Sequence, residues 1–385
     1  MSSAQLPVAH TTRNDYLTIS CGGKWSPRSA LWGLAAVVAL VAPGGPVFGQ
    51  SATWIGAAAN GLWTSSGNWA SGIAPAPTTP TNYVMTGTTR LSSTNSAGAR
   101  AASSLTFQAG AGPFVINGGG FGLAGALTND SSSMQTINSG IILNASQPLN
   151  TGAATTILGG VVSGAGAFNV GGSGVAVFNR PNTFSGTMTV GSGATVTGTG
   201  VIPRIVVGAG ATITPGNGTA GSYGVLSTGG SSIADGFVVA SGTAATVAIG
   251  IAGADRGTSY DAFNLNGTGS QFGGTLALTF DNNTLYPLGT TFNLFNAASA
   301  VSGDFGGVTV AGGKYAGLTF SGPVNDEWIS TTNADGQFLS FSETTGQLVV
   351  VPEPSAGLVA LLGVGLVGWH RVRRRTTVVA SRPTA

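Results

Sequence analysis

Charge is scarce in this chain, and the side chains that do most catalytic chemistry are scarcer still. Only 7% of its 385 residues are charged, with 14 Lys and Arg against 12 Asp and Glu. There is one cysteine, Cys21, and there are two histidines, His10 and His370. A single thiol excludes an internal disulfide. The stretch between the ends has neither His nor Cys, so it cannot hold a Ser-His-Asp triad, a Cys-His pair or a His-ligated zinc. Setting aside residues 1–49 and those beyond 351 leaves six Lys and Arg against ten Asp and Glu, a net charge of −4, although the whole chain is formally +2. The basic balance therefore comes from the ends. Nucleic-acid binding has no electrostatic basis in such a body, because phosphate neutralisation needs clustered Lys or Arg.

Glycine is abundant, at 64 residues. It follows no three-residue period, which excludes collagen, and it alternates with short Val, Ile, Thr and Phe runs that read as many brief strands. The expected class is all-β. Five segments follow from the changes in pattern: a signal-peptide region, 1–49; a Trp/Gly-rich β segment, 50–104; a repetitive region, 105–220; a β module with longer strands, 221–350; and a C-terminal signal, 351–376.

Lys24 and Arg28 precede an apolar run over 30–41, and the small-residue exit Val47-Phe48-Gly49 follows, the layout of a secretory signal with cleavage expected after Gly49. A dozen or so apolar residues fall short of the roughly 20 that span a bilayer, which sets aside the reading of a membrane anchor. At the other end Pro352-Glu353-Pro354 leads into an apolar stretch over 357–369 and then Arg371, Arg373, Arg374 and Arg375. Arginines directly after an apolar segment hold that end on the cytoplasmic side, so the stretch predicts a single-pass helix with the body outside.

The tripeptide, the apolar stretch and the Arg cluster together resemble a PEP-CTERM sorting signal. The resemblance implies an exported bacterial surface protein, transiently membrane-anchored by its C-terminal helix. An exosortase-type processing enzyme would recognise Pro352, Glu353 and Pro354 and remove the tail. It says nothing about the work of the body.

Within the body, Trp54, Trp63 and Trp69 each stand within two residues of Gly or Asn. Exposed, they would be a glycan-stacking platform; buried, they would fill the first layers of a β-structure, the commoner fate of Trp. From 105 to 220 a loose unit recurs, a strand of three to five residues with alternating apolar positions closed by Gly, Asn or Ser. Regular short strands of this kind suit the coils of a right-handed parallel β-helix, each burying its apolar face on the next, with a β-sandwich as the rival arrangement. The run Asn182-Thr183-Phe184-Ser185-Gly186-Thr187-Met188-Thr189-Val190 resembles the autotransporter-associated β-strand repeat, as the Trp/Gly-rich segment before it resembles the N-terminal stretch of proteins carrying that repeat. The pattern Tyr260-Asp261-Ala262-Phe263 followed by Gly274-Thr275-Leu276 resembles the terminal module that joins such repeats to a PEP-CTERM tail. That module would cap the open end of the solenoid.

Carboxylates are the catalytic groups that remain in pairs. Asp255 with Asp261, and Asp326 with Glu327, could serve a polysaccharide hydrolase or lyase, alone or with Arg256 or Lys314. Asp in a turn more often serves local hydrogen bonding. Calcium could be held at Asp281-Asn282-Asn283 or Asp304, but no spacing matches an EF-hand or the nonapeptide calcium repeat. The sequence therefore predicts no catalytic residue, no cofactor and no metal site. The expected function is structural or adhesive, at the surface or in an exopolysaccharide matrix. The alternatives are a polysaccharide-degrading enzyme and a glycan-binding module. Convergence of the acids in one cleft would favour the enzyme.

Overall fold

The computed structural model describes residues 49–217, 221–229, 236–242 and 244–353. The expected signal region up to residue 48, Pro354, the apolar stretch 357–369 and the four arginines after it lie outside the described residues. Among the described residues no helix is long and apolar enough to cross a membrane.

Short β-branched runs pair in register with the next copy of themselves. One row contains Thr81–Met85, Arg100–Phe107, Leu127–Asn129, Gln147–Asn150, Phe168–Gly171, Met188–Val190, Ile205–Val207 and Phe237–Val239, every neighbour parallel. A second parallel row runs from Ser92–Asn95 to Gly307–Ala311. The third starts where Arg100–Phe107 splits its partners: its first half pairs with Phe121–Leu123 and its second with Leu127–Asn129. That third row continues through Ile141–Leu143 and Val162–Ser163. A parallel bridge from Pro181 to Val201 then leads into the sheet that ends at Phe295–Ala297. Three strands per turn make one coil, and cross-coil side-chain bonds such as Asn138 to Asn117 join residues 21 apart. This is the expected parallel β-helix, and the parallel pairing excludes a sandwich for this part of the chain.

Alternation along each strand decides what the coil buries. In Thr246–Ile251, Val247, Ile249 and Ile251 are buried while Thr246, Ala248 and Gly250 are half-exposed. Stacked in register, the inward positions become ladders: Leu105, Leu127, Leu149, Val170, Val190 and Val207 lie one above another, all buried. Each fully buried aliphatic side chain contributes about 1.5–3 kcal/mol. Corners bring backbones too close for a side chain. At Gly164, where φ is +106°, an added Cβ would meet the Leu143 carbonyl oxygen at 2.3 Å. Asn182 fills another corner, accepting the Val162 N–H at 2.8 Å and donating to the Val201 carbonyl at 2.9 Å, so one side chain joins three successive coils.

The parallel ladders run on to Ala311. Thr291 to Pro352 then supply a five-stranded antiparallel sheet, in the order Thr291–Asn293, Gln347–Pro352, Gln337–Ser342, Glu327–Ser330 and Phe320–Val324. Its Phe341 ring lies 6.1 Å from Phe295 and 6.0 Å from Phe305, so the sheet covers rings belonging to the last coils. An uncovered terminal coil would expose that apolar layer.

Candidate functional site

The three tryptophans lie inside the first coils. Trp54, Trp63 and Trp69 are 0%, 0% and 1% exposed. Trp69 meets Trp54 and Trp63 edge-on at 5.2 and 5.4 Å, and Trp63 also packs on Tyr83 at 4.9 Å and Phe121 at 5.4 Å. Trp69 Nε1 donates to the Trp63 carbonyl at 2.8 Å. Every face that could stack on a sugar is covered by another ring or by the coil, which corrects the glycan-platform reading. Beside them is a residue that no sequence pattern singled out. Arg100, 2% exposed, donates to Asn95 Oδ1 and to the Pro75 carbonyl, each at 2.7 Å, and its guanidinium lies 5.6 Å from the centre of the Trp63 ring. It is a buried cation held by neutral oxygens and an aromatic face.

The four acids of the expected catalytic pairs, Asp255, Asp261, Asp326 and Glu327, are not gathered in one cleft. Asp255 is exposed in a turn closed by its backbone N–H on Ser259 Oγ at 2.8 Å. Asp326 occupies the Asn325-Asp326 turn, where both residues have positive φ, and Glu327 accepts the Ser340 hydroxyl in the C-terminal sheet. Arg256 donates to the Asn293 and Phe263 carbonyls and to Asn264 Oδ1, with burial pulling it below its usual range. Lys314 pairs with Asp335 at 3.8 Å.

Asp261 instead meets Asp281, a coil away, in a groove of about 340 Å3 on the outer side of the second row. Gly250 leaves the space: a Cβ there would lie 3.1 Å from Asp281 Oδ2, 3.2 Å from Asp261 Oδ2 and 3.1 Å from the Tyr223 ring. Tyr223 donates its hydroxyl to Asp281 Oδ2 at 2.8 Å. Burial and that carboxylate push the phenol up to about 12. Asp261 is 4% exposed and accepts the Gly224 and Gly250 N–H groups, each at 3.0 Å. Burial pushes it up to about 7, against the downward pull of those two bonds. Two carboxylates in unlike environments can divide acid and base roles. Here both Asp261 oxygens are committed to the backbone, and the first thing the residue does is tie two rows of the coil together.

The chain's last described residues belong to the fold as well. Pro352 pairs with Gln337 at the end of Gln347–Pro352, and the Glu353 N–H donates to the Gly336 carbonyl at 3.0 Å. Residues 350–375 match the PEP-CTERM protein-sorting motif. The motif implies an exported protein, sorted to the cell surface and handled by an exosortase. It begins inside Gln347–Pro352, the last strand among the described residues, so the start of the sorting sequence is part of the folded sheet. No curated protein and no solved structure matches the chain.

Proposed function

We propose that the mature body is a passive structural or adhesive element of the bacterial surface, associated with exopolysaccharide. The apolar tail would anchor it only until an exosortase-type enzyme cuts near Pro352. The observation that carries this reading is the outer surface of the coils. Thr195, Thr212, Thr246 and Thr275 stand in register on successive coils, and the neighbouring pairs Asn117 with Asn138 and Asn169 with Thr189 are joined at 2.8 Å. Hydroxyl and amide rows of low charge offer hydrogen bonds to a polysaccharide along a length of solenoid, with no electrostatic preference for a charged partner. The resemblance of 182–190 to the autotransporter-associated repeat fits the same role.

The test is mass spectrometry of the surface form together with retention on purified exopolysaccharide. A new C-terminus near Pro352 and retention by the intact body are expected. An uncut tail, or no retention, would overturn the sorting and the adhesive parts respectively.

A second reading, a polysaccharide hydrolase, is favoured by the meeting of Asp261 and Asp281 with Tyr223. It predicts release of oligosaccharide that stops on Asp281→Asn. No release from native exopolysaccharide would end it.

A further inference from the structure

Three carboxylates that are far apart in sequence come together where the antiparallel sheet meets the last coil. Asp304 sits in the turn after Gly303, Asp326 in the Asn325-Asp326 turn, and Glu343 at the end of Gln337–Ser342. One oxygen from each lies within 4.8 Å of the other two. Asp304 and Asp326 are exposed, but Glu343 is 6% exposed. Its Oε1 accepts the Phe305 N–H and the Trp328 indole N–H, each at 2.9 Å. Its Oε2 is buried without a hydrogen-bond partner. No Lys or Arg is paired with any of the three among the described residues.

A buried carboxylate oxygen with no donor is costly, and two further carboxylates beside it add repulsion. The backbone is arranged to keep the groups together in spite of this: the Glu343 N–H donates to the Asp326 carbonyl at 2.8 Å, and Thr344 Oγ1 donates to Asp326 Oδ2 at 3.2 Å.

We infer that Asp304, Asp326 and Glu343 form a binding site for a hard divalent cation of the calcium type. All three ligands are oxygens, which disfavours zinc and copper. Calcium takes carboxylates at about 2.4 Å in irregular geometry, so a single ion can bridge oxygens at this separation, with water completing its shell. Magnesium demands a more regular octahedron and gives up water reluctantly. The ion supplies the missing partner of Glu343 Oε2. It also joins the turn of the last coil to two turns of the covering sheet. An exported body meets calcium outside the cell, so the solenoid's end would be locked there.

Trp328 makes the site visible. Its indole is bonded to Glu343, so terbium bound in calcium's place would be excited by energy transfer from that ring. The full mature protein is titrated with terbium alone, then with calcium as competitor, and its melting temperature is compared in calcium and in EDTA. The proposal expects sensitised emission displaced by calcium, and a rise of a few degrees in calcium. Both should be lost in D304N/D326N, whose exposed positions leave the fold intact. Trp328→Phe should lose the emission and keep the calcium-dependent rise. Absence of emission together with equal melting in calcium and EDTA would overturn it. So would a calcium effect of the same size in D304N/D326N, which would put the ion elsewhere.

Discussion

Asn182 Oδ1 accepts the Val162 N–H at 2.8 Å across the boundary between two coils. Both residues are buried, Val162 completely and Asn182 to 4% exposure. Asn182→Ala takes this acceptor from the buried N–H, while the Val201 carbonyl keeps the backbone N–H of residue 182 at 3.2 Å, and should cost about 1–3 kcal/mol. Urea denaturation of the mature protein measures it as a lower midpoint. An unchanged midpoint would show that the corner is not held by this side chain.

Two glycines of similar sequence context should respond in opposite ways to alanine. At Gly164 the new Cβ would lie 2.3 Å from the Leu143 oxygen at a φ of +106°, whereas at Gly171 nothing lies within 4 Å. Gly164→Ala should prevent recovery of folded protein. Gly171→Ala should be tolerated within about 1 kcal/mol. Equal behaviour in thermal melts would contradict the close stacking of the coils.

The tryptophan emission of the mature body should be blue-shifted and resistant to iodide. Trp54, Trp63 and Trp69 are at most 1% exposed, and Trp328 is 5% exposed. Adding exopolysaccharide should leave the emission unchanged. A protein that bound sugar through these rings would show a shift. Trp63→Ala should lower stability by about 3–5 kcal/mol by leaving a cavity among Tyr83, Phe121 and the other two indoles.

Asp261 makes stability depend on pH in a defined direction. Its folded value, about 7, is above the ordinary 3.8, so the folded state binds the extra proton. The folded form is therefore favoured most below the unfolded value and loses stability as pH rises from about 4 through 7, on the order of 4 kcal/mol at most. Asp261→Asn should flatten that part of the profile. It should also lower stability at pH 5 by about 1 kcal/mol, since the amide NH2 cannot accept one of the two N–H groups. Melting curves of the two proteins at several pH values decide it. A variant that keeps the full wild-type slope between pH 4 and 7 would exclude Asp261 as its source.

The coil was legible in the sequence because its determinants are local. Alternation in a run such as Thr246–Ile251 names the inward face without any knowledge of the neighbour, and Gly or Asn marks the corner. What could not be read was which polar residues the stacking brings together. Asp261 meets Asp281, and Asp304 meets Asp326 and Glu343, through pairings whose sequence intervals change along the chain. Asp255 and Asp261, close in sequence, serve different turns. Arg100 carries no local sign of burial either, because its acceptors come from residues 75 and 95.

Each strand of the three rows bonds only to the strands of the coils before and after it. A polypeptide crossing a membrane from its N-terminus would therefore have a template for every new turn as soon as about twenty residues had emerged. Each completed turn buries its ladder residues and cannot re-enter the channel without losing them. Stacking would thus act as a ratchet that draws the chain outward. The terminal sheet can close only when the last stretch is through, because Gln347–Pro352, which pairs with both Thr291–Asn293 and Gln337–Ser342, is also the last to appear. Completion of the fold therefore waits for the segment in which the sorting motif begins.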